Sequence, residues 1–73
     1  MATRNIKSMI AGTVLQIHKR AGDPVAARDP ILTLECMKME IPIVAPAGGR
    51  IVSIEVNQGD NVEKDQLVFV LET

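Results

Sequence analysis

Slid along itself by 37 positions, this chain matches itself without a gap, residues 12–35 lying over residues 49–72. Gly12 meets Gly49, Ile17 meets Ile54, Gly22-Asp23 meets Gly59-Asp60, Val25 meets Val62, and Leu34-Glu35 meets Leu71-Glu72. Other pairs keep their apolar character: Val14 with Ile51, Leu15 with Val52, Ile31 with Val68, and Leu32 with Phe69. A duplication of this kind restricts the fold severely. Whatever unit the first copy forms, the second must form too, and neither is large enough to bury its apolar face alone. The copies must share one core.

Each copy reads as strand, turn, connection, strand. A glycine opens the first strand, Thr13 to Lys19 in one copy and Arg50 to Val56 in the other. Leu15 and Ile17 alternate with Gln16 and His18; Val52, Ile54 and Val56 alternate with Ser53, Glu55 and Asn57. A period of two is that of a half-buried strand, and it places Leu15 and Val52 on the buried side. Gly-Asp then marks a turn, because glycine takes positive φ freely and aspartate bonds nearby backbone. A second strand closes each copy, Ile31 to Glu35 or Leu67 to Glu72, and four prolines argue against any long helix. The pattern predicts two small antiparallel sheets related by a pseudo-twofold axis and packed face to face.

The length fits one domain over residues 1–73. Hydrophobic residues make up 47% and charged residues 23%, the balance of a globular chain rather than a disordered one. Phe69 is the only aromatic residue, so the core is thin and filled by branched side chains, as packed strands prefer. A net charge of -1 leaves no electrostatic footprint for nucleic acid or an anionic membrane. Cys36 is the only cysteine, which rules out an intrachain disulfide and favours a reducing compartment. No apolar run approaches a membrane span. The chain reads as cytoplasmic, or as a domain of a larger soluble enzyme; Met1 points to a free-standing small protein or to the start of an expressed fragment.

Between the copies lies Glu35-Cys36-Met37-Lys38-Met39-Glu40, with Ile31 to Leu34 before it and Ile41 to Val44 after it. A lysine between two methionines, at the junction of two apolar strands, is an amine at a hairpin tip. Under the 37-residue shift this link corresponds to the place where the chain ends meet. Lys38 is therefore expected at one pole of the domain, with Met1 and Thr73 at the other. In a regular hairpin Met37 and Met39 fall opposite Lys38. They either cap the end of the core or meet a partner with flexible, polarizable side chains. His18 falls on the polar side of its strand without a second ligand at metal spacing. Asp23 and Asp60 are turn formers, and Lys19-Arg20 is a solvated strand end.

Glu35-Cys36-Met37-Lys38-Met39 resembles the attachment motif of biotinyl domains, usually Glu-Ala-Met-Lys-Met. The resemblance takes in the glycine-led strands, both Gly-Asp turns and the Lys38 hairpin, and so nearly the whole chain. It implies an all-β flattened barrel-sandwich of two four-stranded antiparallel sheets. It also implies a biotin carboxyl carrier with biotin joined covalently to Lys38. Met37 and Met39 would flank the site in recognition by a biotin protein ligase, with Glu35 and Cys36 as hairpin context. The ligase would make biotinyl-AMP and supply the deprotonation of the amine. The loaded domain would carry carboxylate from a biotin carboxylase to a carboxyltransferase, in an acyl-CoA (acetyl-CoA) type of carboxylase. The chain departs from the family pattern in three places. Cys36 stands where alanine is usual, Ile10-Ala11-Gly12 where Met-Pro-Gly is frequent, and no segment is long enough for a protruding thumb loop.

Other readings remain. A lipoyl domain shares the fold and the hairpin lysine, but usually shows Asp-Lys-Ala there. An unmodified barrel could serve as an adaptor. A self-contained enzyme has little support: there is no phosphate-cradling glycine loop, metal cluster or nucleophile–base pair. The chain is read as non-catalytic.

Overall fold

In a computed structural model, which describes residues 2–73, eight strands follow one another: β1 Thr3–Lys7, β2 Gly12–Ile17, β3 Pro24–Val25, β4 Pro30–Cys36, β5 Met39–Val44, β6 Gly49–Ile54, β7 Asn61–Val62 and β8 Leu67–Glu72. They form two four-stranded antiparallel sheets, ordered β1-β8-β6-β3 and β5-β4-β2-β7. The 37-residue shift carries one order onto the other, which is the expected pseudo-twofold arrangement. The copies interlace, since each sheet takes two strands from each copy.

The backbone repeats more faithfully than the side chains. The Gly22 N–H donates to the Ile51 carbonyl at 2.7 Å, and the Gly59 N–H donates to the Val14 carbonyl at 2.8 Å. Asp23 Oδ2 accepts from the Arg20 N–H at 2.8 Å, and Asp60 Oδ2 from the Asn57 N–H at 2.9 Å. Gly22 and Gly59 lie at φ +93° and +92°, the left-handed turn that only glycine takes without strain. Each Gly-Asp turn thus extends the pairing of one short strand within its own sheet, β3 with β6 and β7 with β2.

The core lies between the sheets. Phe69, Ile31, Leu32, Leu34, Ile51 and Leu71 are its largest buried side chains, with Val14 and Val68 beside them. Ile31-Leu32 and Val68-Phe69 are adjacent buried pairs, which strict alternation forbids. The register explains them. Pro30 pairs with Val44 and Leu32 with Ile43, leaving Ile31 as an extra residue; Ile6 pairs with Phe69 and Lys7 with Leu67, leaving Val68. These are β-bulges, which turn two successive side chains to one side.

Bulges also correct the expected phase of the first strands. Val14 pairs with Leu34 and Gln16 with Thr33; Ile51 pairs with Leu71 and Ser53 with Val70. Leu15 and Val52 are the extra residues, and they are 37% and 47% exposed, while Val14 and Ile51 before them are buried. Ile17 and Ile54 still pack against the core. β2 and β6 are also shorter than expected, ending at Ile17 and Ile54. Beyond them the chain crosses to the other sheet, anchored by the His18 N–H to the Ile31 carbonyl and the Glu55 N–H to the Val68 carbonyl, both at 2.8 Å. The strand expected over residues 31–35 extends to Pro30–Cys36, whereas Leu67–Glu72 is as expected.

Candidate functional site

From Leu32 and Ile43 up to the turn, β4 and β5 stay in register. Leu34 pairs with Ile41, Glu35 with Glu40 and Cys36 with Met39, so that Met37 and Lys38 alone make the turn. Their φ angles are +52° and +66°. Two successive left-handed residues are the signature of the type I′ hairpin turn, whose twist matches that of the strands. Asparagine and glycine suit it; methionine and lysine each cost roughly 1 kcal/mol there. The other non-glycine residues with positive φ, Arg28 and Asp65, are repeat-mates and belong to the scaffold. Among the described residues the Met37-Lys38 strain has no such mate. Its place in the second copy is the meeting of the chain ends, where the Ala2 N–H donates to the Thr73 carbonyl and the Thr73 N–H to the Ala2 carbonyl, at 3.2 and 2.9 Å.

The connections separate these two places. β2 begins beside the lysine hairpin, with Thr13 opposite Glu35, and by Pro24 the chain faces Arg50, itself opposite Glu72 at the terminal end. The molecule measures 36 × 18 × 17 Å. The expected position of Met1 lies outside the described residues.

Lys38 is exposed. Met37 is 90% and Met39 62% exposed, so the reading that they cap the core is overturned: the two-residue turn carries them past the last core layer. Cys36 is half-buried with a free thiol. Glu35 and Glu40 are exposed and directly opposite one another, an arrangement that like charges disfavour. They continue a polar row through Thr13 to Asn61, whose Oδ1 accepts from the Thr13 hydroxyl at 3.0 Å. In the repeat-related row Glu72 lies between Thr3 and Arg50, so a threonine stands in the place of Glu40 and a cation in the place of Thr13. The lysine end is where the duplication diverges in charge.

His18 is exposed, its Nε2 sharing a hydrogen bond with Thr33 Oγ1 at 2.7 Å. Asp23 and Asp60 are the turn formers already described. Two features of the site were missed in the sequence. Gly12 underpins the hairpin by close approach: a Cβ there would fall 2.8 Å from the Glu35 carbonyl oxygen. An apolar groove also opens between the edge strands β1 and β5. Met9 and Ile10 lie in the bend between β1 and β2 and carry no periodic signal that could have revealed it.

An exposed primary amine on a strained tight turn, between two exposed thioethers, is an acylation site in form. Residues 4–71 match a family model described as "Biotin-requiring enzyme", and the chain belongs to this biotin/lipoyl family, as a biotinyl domain. It is 31% identical to a biotinylated protein of Mycobacterium leprae over 92% of this chain and 94% of that one. It is 34% identical to a biotin carboxyl carrier protein of Streptococcus mutans, over 94% of this chain and 54% of the other. It is 37% identical to a dihydrolipoyllysine-residue acetyltransferase component of the pyruvate dehydrogenase complex from Cupriavidus necator, over 81% of this chain but 11% of that protein. Among solved structures, the urea carboxylase of Kluyveromyces lactis superposes with a TM-score of 0.92 at 29% identity, covering 99% of this chain and 6% of that one. The chain therefore spans nearly all of some relatives and a small part of others.

Proposed function

We propose that residues 1–73 form one biotinyl domain in which Lys38 is joined to biotin by a biotin protein ligase. The domain is the non-catalytic carrier of a biotin-dependent carboxylase, and it serves a biotin carboxylase and a carboxyltransferase in turn. The observation that carries this reading is the turn itself. Lys38 is held out from the protein on a two-residue hairpin whose neighbours, Met37 and Met39, are apolar yet exposed. Biotin when bound supplies the ureido nitrogen that takes up carboxylate. The protein's own part is to present the Lys38 amine, and a carboxylate partner to assist its deprotonation is not built in: Glu35 and Glu40 lie on the outer face of the sheet below the turn. Exposed methionines bind adaptable surfaces well, which suits a site that must fit a ligase and then two further active sites.

The acyl-CoA type of carboxylase and a cytoplasmic setting complete the reading. Among the described residues no helix is long and apolar enough to cross a membrane. The relative named for dihydrolipoyllysine gives a second reading, lipoylation of Lys38. It is the weaker one, because Met37 and Met39 occupy the places where lipoyl domains usually have aspartate and alanine. Treating the purified chain with a biotin ligase and, separately, with a lipoyl ligase tests the choice: streptavidin binding after the first treatment supports the carrier reading, and modification only by the second replaces it.

A further inference from the structure

Along one side of the sandwich the chain itself crosses between the sheets at the Gly-Asp turns, from β2 to β3 and from β6 to β7. Along the other side the edge strands β1 and β5 face each other across a groove of about 230 Å³. Ile6, Met9 and Ile10 form one wall and Ile41, Ile43 and Val44 the other, with Pro42 in β5 and Lys7 in β1 at its margin. Met9 is 84% exposed at its rim.

The groove is connected to the lysine. Met39, Ile41 and Ile43 are alternate residues of β5 and share one side of the strand, so an apolar track runs from the turn into the groove. At about 3.3 Å per residue, Ile41 lies about 10 Å and Ile43 about 17 Å along the strand from Lys38. A lysine side chain extended by valerate has about ten bonds of ~1.5 Å and reaches roughly a dozen Å, so that a ring system at its end covers this interval.

We infer that the β1–β5 groove is a resting site for the ring system of biotin held on Lys38. The sulfur-containing ring would lie against the isoleucines. The Lys7 ammonium would donate to the ureido carbonyl oxygen and would be the counter-charge for a carboxylate carried there. Pro42 contributes by its missing N–H: it removes one donor from the exposed edge of β5, which makes the edge less able to add a strand from another chain. The groove is thereby kept for a side-chain ligand. Such a site would shield the reactive ring system while the domain moves between partners. It would be held only by apolar contact and one charge, so that a partner's deeper pocket could empty it.

The inference rests on the biotinylation of Lys38, and one experiment separates the two. The full chain is labelled in its isoleucine methyl groups and loaded by a ligase, its intact mass is recorded, and methyl spectra are compared before and after. A gain of one biotinyl group with shifts of the Ile6, Ile10, Ile41 and Ile43 methyls, while Ile51 and Ile31 in the core stay in place, is the expected result. Lys7→Glu and Met9→Glu, both at exposed positions, should load equally and show smaller groove shifts. Mass gain without groove shifts overturns the resting site and leaves the carrier reading standing. No mass gain overturns both. Groove shifts that depend on protein concentration in the unloaded chain would assign the groove to a second copy instead, and overturn the inference as well.

Discussion

Gly49 lies against Glu72 so closely that a Cβ on residue 49 would fall 2.0 Å from the Glu72 carbonyl oxygen. Its repeat-mate Gly12 meets the Glu35 carbonyl oxygen at 2.8 Å by the same measure. Neither glycine has an unusual φ; both are required by the close approach of neighbouring strands. Gly49→Ala should therefore cost roughly 2–4 kcal/mol, a large share of the stability of so small a domain, and Gly12→Ala should cost less. Urea unfolding of the two variants measures the order. Gly12→Ala as the more damaging change would contradict the account of close approach.

The Gly-Asp turns make a test of the duplication. Asp23 and Asp60 accept equivalent backbone hydrogen bonds, so Asp23→Ala and Asp60→Ala should each lose about 1 kcal/mol, and nearly the same amount. Thermal melts that differ by several degrees between them would show that the copies are related in backbone but not in energetics.

Strain and recognition separate at Met37. Asparagine suits its left-handed conformation, so Met37→Asn should raise stability by roughly 0.5–1 kcal/mol while lowering the rate of biotin loading. Calorimetry and a loading time course report the two effects independently. Faster loading in the more stable variant would mean that the methionine side chain is not read by the ligase.

Replacing Met37 by aspartate together with Met39 by alanine restores the lipoyl-like pattern around Lys38. That double variant should fold, because both side chains are exposed, and should take up biotin poorly. Wild-type loading by it would remove the proposed basis for telling the two cofactors apart.

Leu15 shows where the sequence misleads. Alternation places it inside, whereas the bulge between Val14 and Gln16 turns it out. Leu15→Thr should cost less than about 1 kcal/mol, and Val14→Ala should cost more, as truncation in a packed core does. The duplication, the main strands and the hairpin around Lys38 were legible because each is written in a periodic pattern or a distinctive motif. The bulges at Leu15, Ile31, Val52 and Val68 were not, since one inserted residue leaves no local mark and reverses the phase that follows. β3 and β7 have two residues each and are too short to show a period. The duplication also extends to β1 and β5, where Ile6 and Ile43 alone keep identity between residues 2–11 and 39–48. There the backbone bonds repeat, as in Ser8 N–H to the Gln66 carbonyl and Ala45 N–H to the Asp29 carbonyl, while the side chains have diverged. The exposure of Met37 and Met39 follows from a turn of only two residues, which the motif alone does not specify.

The central claim is that Lys38, and no other amine, receives biotin. The most direct measurement is the intact mass of the chain after co-expression with a biotin protein ligase and biotin, with Lys38→Arg run beside it. The account predicts one biotinyl group on the wild type and none on the variant. A wild type that folds but gains no mass, or a variant that still gains it, would contradict the account.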